Sequence, residues 1–309
     1  MDILNTAQFL KGCENVLILT HQSPDGDTLG SGFALCYALR QLGKNANVVC
    51  SDPIPDRYSY FTSEYTAKEF EVKTVIAVDV ADTVLLGKYK DTAVDFCIDH
   101  HPSNRLYAKE TCLSPESAST TELLTDIFLA LGVEFTPLIC DCLYTGLTTD
   151  TGCFRYTNTT SHTHLAASAL ITNGADAGKI NRIMFETKSR ARVAVEKDVY
   201  QNMEFFEDGK IAVVYVTQEL LKRTGASEEE LEGVSALPRQ IEGVKVGFTL
   251  REKEDGSFKI SVRTCEEVDA SEICASFGGG GHARAAGCSI KLSLNDTKNA
   301  LIEEAKKYI

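Results

Sequence analysis

The stretch Thr74 to Val80, TVIAVDV, limits the fold more than any other feature of the chain. A near-continuous apolar run of this length suits a strand buried on both faces, and such strands belong to parallel sheets covered by helices. Val16 to Thr20, Asn47 to Cys50 and Asp95 to Ile98 read as its neighbours. A helical pattern fills Thr28 to Leu42, and others follow over Ala118 to Leu131, Pro137 to Thr149, His162 to Thr172 and from Asp176 towards Glu186. This alternation predicts an α/β fold, a parallel sheet with helices on both faces.

A polar helical stretch over 187–208 ends at the Asp208-Gly209 turn. Strands then resume at Ile211 to Val216, Val244 to Leu250 and Phe258 to Arg263. A short helix from Ala270 to Phe277 leads into four consecutive glycines, a strand around Cys288 to Leu292 and a helix from Asn295 onward. The expected organisation is a first unit over 1–186, a helical linker over 187–208 and a smaller α/β unit over 209–309. A length of 309 residues accommodates this.

Composition removes several classes of function. A net charge of -13 argues against a broad basic face for long duplex nucleic acid, though not against a small anion held by local cations or metal ions. No run reaches the roughly 18 apolar residues of a membrane span. The 11 cysteines are odd in number and irregularly spaced, and Met1 to Asn15 lacks the features of a signal peptide. A cytoplasmic protein with reduced thiols is expected.

The chemistry-bearing residues fall at the ends of the first unit's strands. His21-Gln22-Ser23-Pro24-Asp25-Gly26-Asp27 follows the first strand, Asp79 ends the third, Asp99-His100-His101 ends the fourth, and Asp150 closes a helix. Loops beyond the carboxyl ends of such strands are where α/β sheets bind ligands. Each piece alone has an ordinary reading: Asp-Gly-Asp as a turn, Asp79 as a helix cap, the histidines as surface or core residues. Five gathered carboxylates repel one another and require positive charge. Carboxylate and imidazole ligands without paired thiolates favour manganese, magnesium or iron over structural zinc.

HQSPDGDTLGS, VDVAD, IDHHPSN and LTTDTG resemble the four motifs of the DHH phosphoesterase superfamily. FGGGGHARAAG, Phe277 to Gly287, is similar to the signature of the DHH-associated C-terminal domain, and Ser261-Val262-Arg263-Thr264 to the arginine-bearing strand that precedes it. Length and layout resemble the NrnA-like nanoRNase/pAp phosphatase group. The resemblance implies a catalytic domain over 1–186 and a substrate-binding domain over 209–309, with the active site in the cleft between them. It implies two Mn2+ ions per site, with Mg2+ or another divalent metal as substitutes. His21 and Asp25 would hold one ion, Asp27, His100 and Asp150 the other, and Asp79 would bridge them. His101 would serve the leaving oxygen and Asp99 would orient the histidines. Gly279, Gly280, Gly281, Arg263, His282 and Arg284 would receive a terminal phosphate, while Ser103, Asn104 and Arg155 would contact substrate near the metals.

The activity implied is hydrolysis of very short oligoribonucleotides, linear dinucleotides such as pApA, and 3′-phosphoadenosine 5′-phosphate, by a hydroxide that the two ions activate. A homodimer without membrane contact is the implied assembly. The alternatives are a cyclic di-AMP phosphodiesterase, an inorganic pyrophosphatase and a non-catalytic nucleotide sensor. Outside these motifs, His162 and His164 read as solvated surface, Cys140 and Cys142 as helix packing, and Glu228 to Glu230 as a solvated helix start. Phe154 and Tyr156 read either as cleft residues or as packing.

Overall fold

The computed structural model describes residues 1–227, 229–231, 233–265 and 267–309, so Glu228 of the expected acidic helix start lies outside the described residues. The chain divides into two compact units, Met1–Thr187 and Lys188–Ile309.

In the first unit, β1 (Val16–Leu19), β2 (Ala46–Val49), β3 (Thr74–Val78), β4 (Phe96–Asp99) and β5 (Glu110–Leu113) form one sheet in the order β2-β1-β3-β4-β5. Every pairing is parallel. The chain winds outward from β1 to β2 and then reverses through β3, so the switch point lies between β1 and β3, where sheets of this order bind ligands. The reversal also places the connections on opposite faces. Ile18, Ile76, Val78 and Ile98 pack with Leu29 and Phe33 of the helix Gly26–Gln41. Leu19, Ala77 and Cys97 face the other way, onto Leu86 of the 3-10 turns Thr83–Tyr89.

The sequence reading did not anticipate β5 or the helix Ile3–Gly12. The segment of β5, Glu-Thr-Cys-Leu, has one fully buried residue, Cys112, and takes the sheet edge, where apolar periodicity is weakest. Asp2 caps the first helix by accepting a hydrogen bond from the Asn5 backbone N–H.

The second unit is a mixed six-stranded sheet in the order β10-β11-β9-β8-β7-β6. Its strands are β6 (Glu204–Phe206), β7 (Ile211–Val216), β8 (Val246–Glu252), β9 (Phe258–Thr264), β10 (Gly280–His282) and β11 (Ala285–Ile290). Only β7 and β8 run parallel. In β9, Phe258, Ile260, Val262 and Thr264 are buried, which turns Lys259, Ser261 and Arg263 to the other face. The buried face packs with Ile273 of the helix Ala270–Ala275 and Leu301 of the helix Leu294–Ala305. Helix Arg190–Gln201, expected within a linker, buries Val195 and Val199 with Val214, Val216 and Leu220. Its apolar stripe therefore makes it part of the second unit's core.

Candidate functional site

The loop after β1 is shaped by its own carboxylate. Asp25 caps the helix Gly26–Gln41: its Oδ1 accepts from the backbone N–H groups of Asp27 and Thr28, each at 3.1 Å. The ordinary reading of Asp-Gly-Asp is a turn; the structure makes Asp25 a helix cap, and this role coexists with a second contact. His21 Nε2 lies 3.5 Å from Asp25 Oδ1 and 3.7 Å from Asp79 Oδ2. Asp79 follows β3 with φ of 59°, a left-handed conformation that is costly for most residues with a Cβ. Its backbone N–H donates to Ile98 O at 2.9 Å, so the turn is held against β4.

Asp27 is completely buried. Its Oδ2 accepts from the Thr120 N–H at 2.7 Å, and its Oδ1 from the Thr121 N–H at 3.0 Å and the Thr121 hydroxyl at 2.8 Å. Thr120 Oγ1 donates to Asp79 Oδ1 at 3.0 Å. These donors open the helix Thr120–Leu131, whose N-terminal dipole favours a carboxylate. The sequence reading missed Thr120 and Thr121. The available signal was Ser119-Thr120-Thr121-Glu122, a capping-box pattern marking exposed helix-start N–H groups.

Asp150 arrives at the end of the helix Pro137–Asp150. Small residues let this helix approach its neighbours: a Cβ on Gly146 would lie 2.6 Å from Asp27 Oδ1, and one on Gly30 would lie 2.4 Å from Cys142 O. His100 completes the group. Its Nδ1 donates to the Ser117 carbonyl at 3.1 Å, an assignment required because the carbonyl only accepts. Nε2 then points at Asp150 Oδ2 at 3.2 Å, Asp79 Oδ1 at 3.7 Å and Asp27 Oδ2 at 3.9 Å. It is buried and has no hydrogen-bond partner among the described residues, so the 3.2 Å approach is not aligned as a hydrogen bond.

The electrostatics follow from this crowding. Burial raises the Asp79 carboxyl well above the usual range, and Asp27, Asp25 and Asp150 add to it. Burial, then Asp27, pushes Asp150 up to about 6. Burial opposes a proton on His100, yet the facing Asp150 and Asp27 outweigh it and raise that imidazole to about 9. His21 is raised despite burial, through Asp25. The carboxylates of Asp25, Asp27, Asp79 and Asp150 outnumber the imidazoles they face, and the atoms of the cluster arrange themselves as ligands. His21, Asp25 and Asp79 converge within 4.8 Å of one another, as do Asp27, His100 and Asp150, and Asp79 also converges with His100 and His101. An orphaned buried nitrogen facing three carboxylates is what a divalent cation would satisfy, so these residues fit a metal.

His101 differs from the other two histidines. Its Nδ1 bonds Asp99 Oδ1 at 2.8 Å and its side chain is 42% exposed. Asp99 also accepts the His100 and His101 backbone N–H groups at 2.8 and 3.2 Å. Burial opposes its charge, but bonds from His101 and Asn104 hold the Asp99 carboxyl below its ordinary value. Asn104, expected against substrate, turns its amide inward: Nδ2 donates to Asp99 Oδ2 at 2.6 Å and to Val80 O at 3.2 Å. Ser103 is exposed. Arg155 folds back, with Nε donating to Gly152 O at 2.5 Å and its guanidinium over Phe185.

In the second unit, the last two glycines of the run, Gly280 and Gly281, belong to an edge strand. Gly280 pairs with Gly287, Gly281 with Ala286 and His282 with Ala285. A Cβ on Gly279 would meet Gly287 O at 2.3 Å, so this backbone approach requires glycine. Ala285 also pairs with Arg263, which puts Arg263 and His282 on one face of the sheet. Arg284 is committed to the backbone, donating to Cys265 O at 2.6 Å and Val268 O at 2.7 Å.

A parallel sheet whose switch point gathers carboxylates around inward-facing imidazole nitrogens defines an α/β metal-site protein. The chain belongs to the DHH family: residues 15–147 match the DHH family N-terminal domain and residues 208–309 match the DHHA1 domain. It is 32% identical over 309 residues to the bifunctional oligoribonuclease and PAP phosphatase NrnA of Thermus thermophilus, covering 98% of this chain and 93% of that one. The protein of the same name from Bacillus subtilis is 25% identical over 284 residues, covering 90% of each. An exopolyphosphatase-related protein from Bacteroides fragilis superposes with a TM-score of 0.89 at 25% identity, covering 99% of this chain and 96% of that one. Among the described residues, no helix is long and apolar enough to cross a membrane.

Proposed function

We propose that the chain is a manganese-dependent phosphoesterase that hydrolyses very short oligoribonucleotides and 3′-phosphoadenosine 5′-phosphate. The observation that carries this reading is His100 Nε2, buried without a hydrogen-bond partner and facing Asp27, Asp79 and Asp150. The oligoribonuclease and PAP phosphatase names of the relatives from Thermus thermophilus and Bacillus subtilis supply the substrate class. In this reading, His21 and Asp25 hold one ion, Asp27, His100 and Asp150 a second, and Asp79 reaches both. When bound, such ions supply the Lewis acidity that lowers the pKa of water and neutralises phosphoryl oxygens.

The protein's own groups do the rest. Ser117 O and Gln22 O each engage a histidine Nδ1, at 3.1 and 2.8 Å, and so direct Nε2 of His100 and His21 inward. Thr120 and Thr121 hold Asp27 and Asp79 in place before any ligand arrives. Asp99 accepts from the His101 Nδ1–H and turns Nε2 of this partly exposed ring towards the leaving oxygen, to which Nε2 donates when the ring carries both protons. Arg263 and His282, on one sheet face, receive the terminal phosphate. A cytoplasmic homodimer is the assembly proposed.

The test is hydrolysis by metal-stripped protein with and without added Mn2+, with pApA, a short RNA, pAp, cyclic di-AMP and pyrophosphate side by side. Manganese-dependent release of mononucleotides from pApA and short RNA, together with phosphate release from pAp, is the expected result. Turnover of pyrophosphate alone, or of cyclic di-AMP alone, would replace the reading. Metal binding without turnover of any substrate would make the chain a nucleotide sensor.

A further inference from the structure

The two inward-facing histidines, His100 and His21, are backed by the same arrangement of groups. His100 Nδ1 donates to Ser117 O at 3.1 Å, and the N–H of that same peptide group, on Ala118, donates to Glu122 Oε2 at 2.5 Å. His21 Nδ1 donates to Gln22 O at 2.8 Å, and the N–H across that peptide, on Ser23, donates to Asp52 Oδ2 at 2.7 Å. In each case one amide stands between an imidazole and a carboxylate. A trans peptide carries its C=O and N–H on opposite edges, so the groups form a chain that runs from Nδ1–H through the amide to the carboxylate.

Local capping accounts for neither chain. In a capping box the glutamate accepts from the backbone N–H of the capping residue, here Ser119, whereas Glu122 reaches past it to Ala118. Glu122 is 1% exposed, and the Thr163 hydroxyl donates to its other oxygen at 3.2 Å. Asn158 Nδ2 donates to Ala118 O at 3.0 Å and to Asp150 O at 3.1 Å, which ties the residue carrying the relay N–H to the helix end that brings in Asp150. Asp52 lies 29 residues from Ser23 in the chain, so its contact is tertiary. Ser23 holds a φ of 50°, a left-handed conformation that few residues with a Cβ adopt, in the turn that presents its N–H to Asp52.

We infer that Glu122 and Asp52 are positioning residues for His100 and His21, each acting through one peptide group to orient the ring and strengthen its Nε2 as a ligand. An anion at the N–H end of an amide increases the negative charge on its carbonyl oxygen, and linked hydrogen bonds strengthen one another by about 10–30%. A direct carboxylate–histidine pair, present here as Asp99 with His101, works in the same sense without the amide. The interposed amide keeps a further anion out of a cluster in which Asp25, Asp27, Asp79 and Asp150 already repel one another. That the Nε2 atoms hold a divalent cation rests on the phosphoesterase reading, whereas the polarised Nδ1 bonds do not.

The experiment uses the full chain with isotope-labelled histidine at one fixed pH, first metal-stripped and then titrated with Mn2+. Glu122→Gln and Asp52→Asn keep an acceptor for the backbone N–H and remove the charge. Glu69→Gln, at an exposed position of the first unit, is the control for loss of one charge. In the metal-free chain, Glu122→Gln should move the His100 Nδ1–H proton resonance upfield and leave that of His21 in place, and Asp52→Asn should do the reverse. Mn2+ affinity, read by titration calorimetry, should fall about tenfold in Glu122→Gln, the lower end for loss of an outer partner of a metal ligand. It should fall several-fold in Asp52→Asn, because Asp52 is partly exposed and solvent screens its charge. Wild-type resonances and affinity in both variants would reduce the carboxylates to backbone caps and overturn the inference, as would an equal loss of affinity in Glu69→Gln. Asp52→Asn decides the question by itself should Glu122→Gln fail to fold. Displaced resonances in a protein whose wild type binds no Mn2+ would retain the relay and remove the phosphoesterase reading.

Discussion

Both units bury carboxylates, and Asp79 and Asp150 of the first are treated in the opposite way to those of the second. In the second unit, Glu196 has a side chain only 10% exposed, and it accepts from Lys188 Nζ and Arg192 Nε, each at 2.7 Å. Burial works against its charge, but those two cations hold its carboxyl below the ordinary value. Glu204 is likewise lowered, against burial, by Lys298 and the Tyr215 hydroxyl. In the first unit, Asp27 and Asp79 are 0% and 3% exposed, and the groups that face them are carboxylates, hydroxyls, backbone N–H groups and imidazoles. A compensated carboxylate stabilises a fold, whereas a group of uncompensated ones is retained at a cost that a bound cation offsets. The contrast separates structural charge from functional charge without reference to any relative.

The largest break in this contrast is Asp79→Asn. Removing the shared carboxylate should lower activity by more than the roughly 10–100-fold that loss of an outer partner of a metal ligand costs. The same change removes one of the repelling buried charges, so in EDTA the variant should melt higher than wild type, by on the order of 1 kcal/mol. Scanning calorimetry with and without metal checks both halves. A lower melting temperature in EDTA would show that Asp79 contributes to the fold itself.

Glu196→Gln is the mirror experiment and should have the smaller effect. It leaves Lys188 and Arg192 without their shared anion, and about 1–2 kcal/mol of stability should be lost, between the values for exposed and fully buried pairs. Metal affinity should stay within twofold of wild type. Denaturant unfolding and metal titration on one sample test the pair of statements.

Acidity sharpens the comparison with the least perturbation. Asp79, Asp150, His100 and His21 have raised values, while the lowered Asp25 and Asp99 act only below the ordinary aspartate range, so above that range the folded, metal-free first unit binds protons more tightly than the unfolded chain. Its stability should therefore rise as pH falls from 9 to 5, a window set by His100 at about 9 and Asp150 at about 6. Glu196 and Glu204 are lowered, so their contribution is present above the unfolded value near 4.5 and is lost as pH falls below it. Hydrogen exchange in EDTA, read separately over the two units, should show opposite slopes in the two windows.

Much of this was legible beforehand because it is local. TVIAVDV required a strand buried on both faces, and Asp25, Asp27, Asp79, Asp99 and Asp150 were visible at element ends. β5 was invisible because an edge strand with one buried residue has no apolar period to detect. The glycine run was expected to receive a phosphate ahead of a strand, and Gly280 to His282 themselves pair with β11, since glycine's lack of a side chain suits close strand contact as well as anion approach. Asn104 lay in the right loop, but whether its amide turned outward or onto Asp99 depended on packing around Val80.

The sequence by itself determined which groups were available: carboxylates and imidazoles at strand ends, apolar runs long enough for a parallel sheet, and glycines where helices or strands meet. Their charge state was decided only by the tertiary structure. Thr120 and Thr121, 93 and 94 residues from Asp27, present their donors to it only once the helix they open packs beside the switch point. Gly146 admits Asp27 at a distance no larger residue permits. Desolvation and like-charge repulsion depend on distance and burial rather than residue type, which is why the need for a cation becomes measurable only in the folded chain.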